Sequence, residues 1–115
     1  MILILHNPRC SKSRQACELI KLKEPFEIRE YLKNPLSEKE IKDVLKKLNM
    51  KAEEIIRTGE PLFKEKFSKK KYTEAEWIKI LAKNPILIER PIIIKGDKAL
   101  VGRPVENINQ LLKNT

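Results

Sequence analysis

The N-terminal segment constrains the fold most, because it places a buried strand directly before a helix and a second strand. The apolar run Ile2–Leu5 is typical of a strand covered on both faces. Ser11–Lys21 has helical periodicity, with apolar residues gathered on one face. Residues 25–31 then alternate between polar and apolar, as a strand does. This β-α-β order favours a parallel pair of strands with a right-handed crossover.

The middle of the chain is predicted to be helical. Ser37 is followed by Glu40 in the arrangement of a capping box, and Thr73 and Glu76 repeat that arrangement before a second helix. Asn84-Pro85 ends this second helix. We therefore expect a helical insertion over about 37–84. Its predicted helices span 38–47, 51–57, 61–67 and 74–83, the last with Trp77, Ile80 and Leu81 as its buried face.

The C-terminal third changes from helical to β-branched sequence. Ile92–Lys95 and Lys98–Val101 are predicted strands, and Gly96-Asp97 forms the turn between them. Pro104 is suited to the beginning of a helix over 105–112. The predicted order is β-α-β, a helical insertion and then β-β-α. With 115 residues this α/β chain is expected to be a single domain over 1–115.

Composition excludes several classes of protein. The net charge is +9, but the lysines are spread along helical segments and aromatic residues make up only 5%, so we expect a solvated surface and no nucleic-acid partner. No apolar run approaches the length of about 20 residues that spans a membrane. Two cysteines and one histidine are too few for a disulfide scaffold or a metal site. A soluble, cytoplasmic and monomeric protein is expected.

Cys10 is the candidate nucleophile. It lies between a strand and the N-terminus of a helix, where free N–H groups and the helix dipole lower the pKa of a thiol. Arg9, Lys12 and Arg14 add positive charge, and Ser13 is close enough to donate a hydrogen bond to the sulfur or to a bound oxyanion. The alternative is an inert, half-buried cysteine next to an ordinary N-cap serine.

His6 and Cys17 are the two other residues near Cys10 whose chemistry could bear on its reaction. His6 ends the first strand and either orients the loop or aids proton transfer. Cys17 lies about 10 Å from Cys10 along an intact helix, beyond disulfide reach, and its spacing predicts a core position. Cys10 therefore needs an external thiol, glutathione or a glutaredoxin, to reset it. No bound cofactor or metal is expected.

The segment His6-Asn7-Pro8-Arg9-Cys10-Ser11-Lys12-Ser13-Arg14 resembles the signature of the glutaredoxin-coupled arsenate reductase family. Residues 56–61, 84–92 and 101–106 resemble, in order, the segments that carry the family's three substrate arginines. The resemblance implies a thioredoxin-like (glutaredoxin-like) fold and a cis Pro91 that faces the cysteine loop. It further implies that Arg57, Arg90 and Arg103 hold arsenate, with Arg14 beside them. Guanidinium groups suit such tetrahedral oxyanions.

The resemblance also implies a reaction. Cys10 attacks the arsenic of arsenate, glutathione adds, arsenite leaves, and glutaredoxin clears the mixed disulfide. Other functions remain open on the same fold. One is a glutathione-dependent thiol oxidoreductase with another substrate, which a shorter branch of the family also suggests. The other is an Spx-like redox regulator of transcription, which Ser13 in place of a second cysteine disfavours.

Overall fold

A computed structural model describes residues 2–112 of the chain. Its described part divides into two compact units, one formed by residues up to Asn34 and from Arg90 onward, the other by Pro35–Glu89. The helical insertion predicted at about 37–84 falls within the second unit. The expectation of a single domain over 1–115 remains a prediction.

The first unit contains a four-stranded sheet of order β2-β1-β3-β4. Strand β1 (Ile2–Leu5) pairs in parallel with β2 (Phe26–Arg29) and antiparallel with β3 (Ile92–Lys95), and β3 pairs antiparallel with β4 (Lys98–Val101). Helix α1 (Ser11–Lys21) connects β1 and β2, as the β-α-β pattern predicts. Gly96 turns the hairpin between β3 and β4 with a φ of +62°, a conformation that glycine adopts without strain.

The core of the first unit lies between α1, the central strands and the C-terminal turn. β1 and β3 are almost entirely buried because each has a neighbouring strand on both sides. The fully covered side chains of this core include Ile2, Ile4, Ala16, Ile20, Ile93 and Ile108. Cys17 packs against this core and is half-buried rather than fully covered, so the prediction of a core position is only partly met.

The second unit consists of helices α2 (Glu38–Leu48), α3 (Pro61–Lys66) and α4 (Glu74–Lys83) with two short 3₁₀ turns, Ala52–Ile55 and Pro85–Leu87. Ser37 and Thr73 form the predicted capping boxes at α2 and α4. The helix predicted over 51–57 is one of the 3₁₀ turns. The buried face of α4 is Trp77, Ile78 and Leu81, whereas Ile80 is only half-buried, because the helix is rotated slightly from the predicted orientation.

The closing helix predicted over 105–112 is also a 3₁₀ helix, Val105–Gln110. Its backbone bonds span three residues, from Asn107 N–H to the Pro104 carbonyl and from Leu111 N–H to the Ile108 carbonyl. The architecture is nevertheless the predicted mixed α/β arrangement.

Candidate active site

Cys10 lies where β1 has ended and α1 begins. The ladder with β2 continues one residue past β1, where His6 N–H donates to the Arg29 carbonyl at 2.9 Å. The loop then turns, and Cys10 occupies the N-cap of α1 in extended conformation, with φ −96° and ψ 121°. Its side chain makes no conventional capping hydrogen bond. The thiol is 9% exposed, so it lies at the edge of the protein surface.

The pKa of the Cys10 thiol is lowered. Burial by itself raises the pKa, but a hydrogen bond from the Arg90 guanidinium, its positive charge and the backbone N–H groups of Ser13 and Lys12 outweigh burial. Arg103 contributes a direct contact, because its Nη2 lies 3.3 Å from the sulfur. The thiolate, which is the form that acts as a nucleophile, is therefore more populated than it would be for an unperturbed cysteine thiol.

Arg90 and Arg103 are linked to each other as well as to Cys10. Arg103 Nε donates to the Arg90 carbonyl at 2.7 Å, and Asn107 Nδ2 donates to the Arg103 carbonyl at 3.0 Å. The Arg90–Pro91 peptide is cis, as the family resemblance implies, and the Arg103–Pro104 peptide is cis too. Two of the three predicted arginines thus meet at the sulfur.

Gly102 allows the segments before Arg103 and after Arg90 to approach each other. A Cβ atom at this position would lie 3.1 Å from both Pro91 Cγ and Ile108 Cδ1. Its N–H donates to the Pro91 carbonyl at 2.9 Å. A larger residue here would push these segments apart, so the glycine helps to place Arg103.

Ser13 has a different role from the one that its spacing suggests. Its side chain is completely buried, and its Oγ accepts the Asn7 N–H at 3.0 Å and lies 2.7 Å from His6 Nδ1. The hydroxyl therefore bonds to Asn7 and His6 of the loop, while the backbone N–H of Ser13 helps to lower the pKa of the Cys10 thiol. The expected hydroxyl bond to the sulfur or an oxyanion is wrong for this structure, because the helix directs the side chain inward.

His6 is buried against Ser13 and Cys17. Burial lowers its pKa, with a nearby Glu30 opposing and Arg14 reinforcing that effect, so the ring is neutral near pH 7. A neutral ring can accept the Ser13 hydroxyl proton at Nδ1, and the Cys17 sulfur lies 3.5 Å from the same nitrogen. These contacts favour the loop-orienting role among the two that the sequence left open. Burial also raises the pKa of Cys17, which keeps that thiol protonated.

The other two candidate arginines have other described contacts. Arg14, an exposed residue of α1, donates from Nη1 to the Pro8 carbonyl at 2.9 Å. Arg57 belongs to the second unit, where its Nε lies 3.1 Å from Glu60 and its Nη1 lies 2.9 Å from Glu89. Burial alone would lower the pKa of Arg57, but the two carboxylates raise it. Arg57 is thus held by a double ion pair.

The described residues offer no cluster of three or more histidine, cysteine or acidic side chains placed to hold a metal ion. Within residues 2–112, no helix combines the length and apolar character that crossing a membrane requires. The chemistry that these side chains can perform is nucleophilic attack by a thiolate on an anion that arginines attract.

Comparison with known proteins shows the family of this chain. Residues 5–111 match the sequence profile of the ArsC family. The chain belongs to the ArsC family. An arsenate reductase of Haemophilus influenzae is 38% identical over 96% of this chain and 98% of its own length. Solved structures of an arsenate reductase from Vibrio cholerae and a putative arsenate reductase from Yersinia pestis are similar to it. Their TM-scores are 0.92 and 0.90, their identities 31% and 35%, and they cover 96% of this chain and 97% and 99% of theirs.

The ArsC-family chain has the thioredoxin-like fold that its motif implies. Sequence reasoning nevertheless missed three residues that contact candidate site residues. Asn7 was noted only as part of a motif, although an asparagine before proline at a strand end is a signal for a side-chain-stabilised turn. Glu89 was missed because it is 32 residues from Arg57, too far for any local pattern to reveal, whereas Glu60 is only three residues from Arg57 and its spacing could have indicated the ion pair.

Proposed function

We propose that this ArsC-family protein reduces arsenate to arsenite through Cys10, with glutathione and a glutaredoxin as the source of electrons. The observation that carries the proposal is a thiol of lowered pKa with two arginines at its sulfur. A thiolate needs an electrophile, and guanidinium groups attract a tetrahedral oxyanion to it. The named activity of the relatives identifies arsenate as the oxyanion to test first.

The proposed reaction begins when the Cys10 thiolate attacks arsenic(V) and one arsenate oxygen leaves as water after taking up protons. Glutathione then adds its thiol to the arsenic. The two sulfurs join as a disulfide, which gives two electrons to arsenic and reduces it to arsenic(III). Arsenite is released, and Cys10 remains bonded to glutathione. Arg90 and Arg103 offset the negative charge of arsenate during the attack.

An external thiol is needed because Cys17 is not placed to resolve Cys10. The two cysteines lie on α1 and at its N-cap, separated by two helical turns, and Cys17 contacts His6 instead. A glutaredoxin suits the resulting mixed disulfide with glutathione. In this proposal the protein works as a monomer in the cytoplasm, without a bound cofactor or metal.

The test is a coupled assay with arsenate, glutathione, glutaredoxin, glutathione reductase and NADPH, in which NADPH consumption is followed. The wild type is expected to give an arsenate-dependent rate, and Cys10→Ser none. Arg90→Ala and Arg103→Ala should reduce the rate, and Arg57→Ala tests the arginine that resemblance assigns to substrate. Arg29→Ala is the matched control, because Arg29 Nε instead donates to the Asn34 carbonyl.

Two other outcomes would change the proposal. The rate could appear only when thioredoxin and thioredoxin reductase replace the glutathione system. That result would support the arsenate reaction but contradict glutathione and glutaredoxin as the reductant. No arsenate-dependent rate with either system would reject arsenate. Reduction of glutathionylated protein thiols by the same preparation would then favour the general thiol oxidoreductase.

A further inference from the structure

The buried polar side chains of the described residues are concentrated beside Cys10. They are His6, Asn7 and Ser13, which are 8%, 5% and 0% exposed. Burying a polar group costs free energy unless its hydrogen bonds are replaced. The stability of a small protein with its buried polar side chains at one loop therefore depends on a loop geometry that keeps their hydrogen bonds. His6 and Ser13 bond to each other, and Asn7 joins them through a backbone hydrogen bond to Ser13 Oγ.

Asn7 holds the loop through three hydrogen bonds. Its backbone N–H donates to Ser13 Oγ at 3.0 Å. Its side-chain Oδ1 accepts the N–H of Arg9 at 3.0 Å, which forms a side-chain-stabilised turn. Its backbone carbonyl accepts the N–H of Cys10 at 3.0 Å. Pro8 has no N–H, so every backbone donor from Asn7 to Cys10 is bonded to an acceptor within residues 7–13.

The closed loop decides which donors remain for an anion. In an open anion-binding loop, consecutive N–H groups point at the ligand. Here the loop donors are bonded within residues 7–13, so the N–H groups left for the Cys10 side chain at the N-cap are those of the first helical turn. The N–H groups of Ser13 and Lys12 help to lower the pKa of its thiol. The position of Cys10 relative to that turn is set by its N–H bond to Asn7. The loop thus holds the Cys10 side chain at the N-terminus of α1, where helical N–H groups are available.

We propose that Asn7 is a positioning residue for the Cys10 thiolate. Its side chain closes the loop around Arg9 N–H, and this holds Cys10 at the N-cap of α1, in front of the N–H groups of the first helical turn. Only the expected effect on turnover rests on the proposed arsenate reaction. The effect on the thiol is independent of substrate and can be measured in its absence.

Asn7→Ala and Asn7→Ser form a matched pair for the test. Both remove the carboxamide and leave side chains of similar size, but serine keeps an oxygen that can accept the Arg9 N–H in an equivalent turn. A difference between them therefore reports the hydrogen bond and not the lost volume. Circular dichroism melting of both variants verifies that they fold before the thiol is measured.

The decisive measurement is the rate of Cys10 alkylation by iodoacetamide as a function of pH. Trypsin separates the two cysteines, because Cys10 lies between Arg9 and Lys12 and Cys17 between Arg14 and Lys21. Mass spectrometry can then follow Cys10 alone. Asn7→Ala is expected to move the midpoint of its alkylation curve upward by about one pH unit, which slows alkylation at neutral pH about tenfold. Asn7→Ser should stay near the wild-type midpoint.

Turnover supplies a second readout in the coupled assay. Asn7→Ala should lower kcat while the KM for arsenate stays within about twofold, because Asn7 acts on the nucleophile and not on the arginines. An unmoved alkylation midpoint in a folded Asn7→Ala variant would overturn the proposal. So would equal shifts in the alanine and serine variants, since these would mean packing alone. A wild type without arsenate turnover would reject the arsenate reaction but leave the alkylation result valid.

Discussion

Helix α1 begins differently from helices α2 and α4. At Ser37 and Thr73 the side-chain oxygen accepts the N–H of the third helical residue, and a glutamate returns a bond to the cap. At Cys10 there is no such side-chain capping bond. Instead the Arg90 guanidinium, and after it the first-turn N–H groups of Ser13 and Lys12, lower the pKa of the Cys10 thiol against the effect of burial, without a hydrogen bond of capping geometry. One kind of helix start stabilises the helix, whereas the other stabilises a thiolate.

The difference shows how much helix stability is lost when a cysteine takes the N-cap position. A capping serine or threonine contributes about 1 kcal/mol to helix stability, and cysteine is not among the preferred cap residues. The first unit accepts a weaker helix start and compensates with the buried contacts of Asn7, Ser13 and His6. The first-turn N–H groups, which a capping side chain would otherwise bind, thereby remain available to the Cys10 thiolate. Five predictions test this comparison.

The largest effect is expected from Cys10→Ser, which converts the reactive start into a capped one. Activity should fall to background, a loss of at least about 10³-fold, because the hydroxyl is a far weaker nucleophile. Stability should stay equal or rise by up to about 1 kcal/mol, since serine is a preferred N-cap. NADPH consumption and urea unfolding measure the two changes. A clear loss of stability would contradict the comparison.

Arg103→Ala should cause the next largest loss. It removes the Nη2 contact with the sulfur and the Nε bond to the Arg90 carbonyl. The expected decrease in kcat/KM is about 10²- to 10³-fold, as for other donors at a developing charge. Steady-state kinetics beside the Arg29→Ala control give the measurement. A decrease no larger than that of the control would mean that the contact has no part in the reaction.

Ser13→Ala tests the contacts that hold the loop. It leaves the Asn7 N–H and His6 Nδ1 without the Ser13 oxygen in a buried place, which should cost about 1–3 kcal/mol. Ser11→Ala is the matched control, because Ser11 is an exposed residue of the same helical turn and should change stability by less than about 0.5 kcal/mol. Urea unfolding compares them, and equal stabilities would refute the role given to Ser13.

The capping boxes of the second unit should give smaller, purely structural effects. Ser37→Ala and Thr73→Ala each remove a side-chain acceptor for a first-turn N–H and should cost about 1 kcal/mol. Neither variant should move the midpoint of Cys10 alkylation. Thermal melting and the alkylation curve measure both properties. A changed alkylation midpoint would show that the two kinds of helix start are not independent.

The smallest effect is a pH dependence that His6 contributes. Burial lowers its folded-state pKa, so the neutral ring is favoured in the folded protein. Its contribution is present above the unfolded pKa of about 6.5 and is lost as the pH falls through the lowered folded value. The stability difference between wild type and His6→Gln should therefore shrink from pH 7.5 toward acid, as melting curves can show. A constant difference would exclude this titration.

Local patterns in the sequence predicted much of this molecule. The strands Ile2–Leu5 and Ile92–Lys95, helix α1 and the two capping boxes occur where periodicity and cap residues place them. These features depend on neighbours within a few positions, so a short stretch of chain contains the information. The reactivity of Cys10 was predicted in the same way, since a strand that runs directly into a helix places the residue between them at a helix N-terminus.

Sequence by itself thus determined most of the elements and named the candidate residues for the chemistry. Only the tertiary structure decided that Ser13 turns its hydroxyl toward His6, that Arg103 reaches the sulfur and that Glu89 pairs with Arg57. Arg103 is 93 positions from Cys10 along the chain. Such contacts depend on how strands pair and which helix face is buried, and those are collective results of packing that no local pattern records.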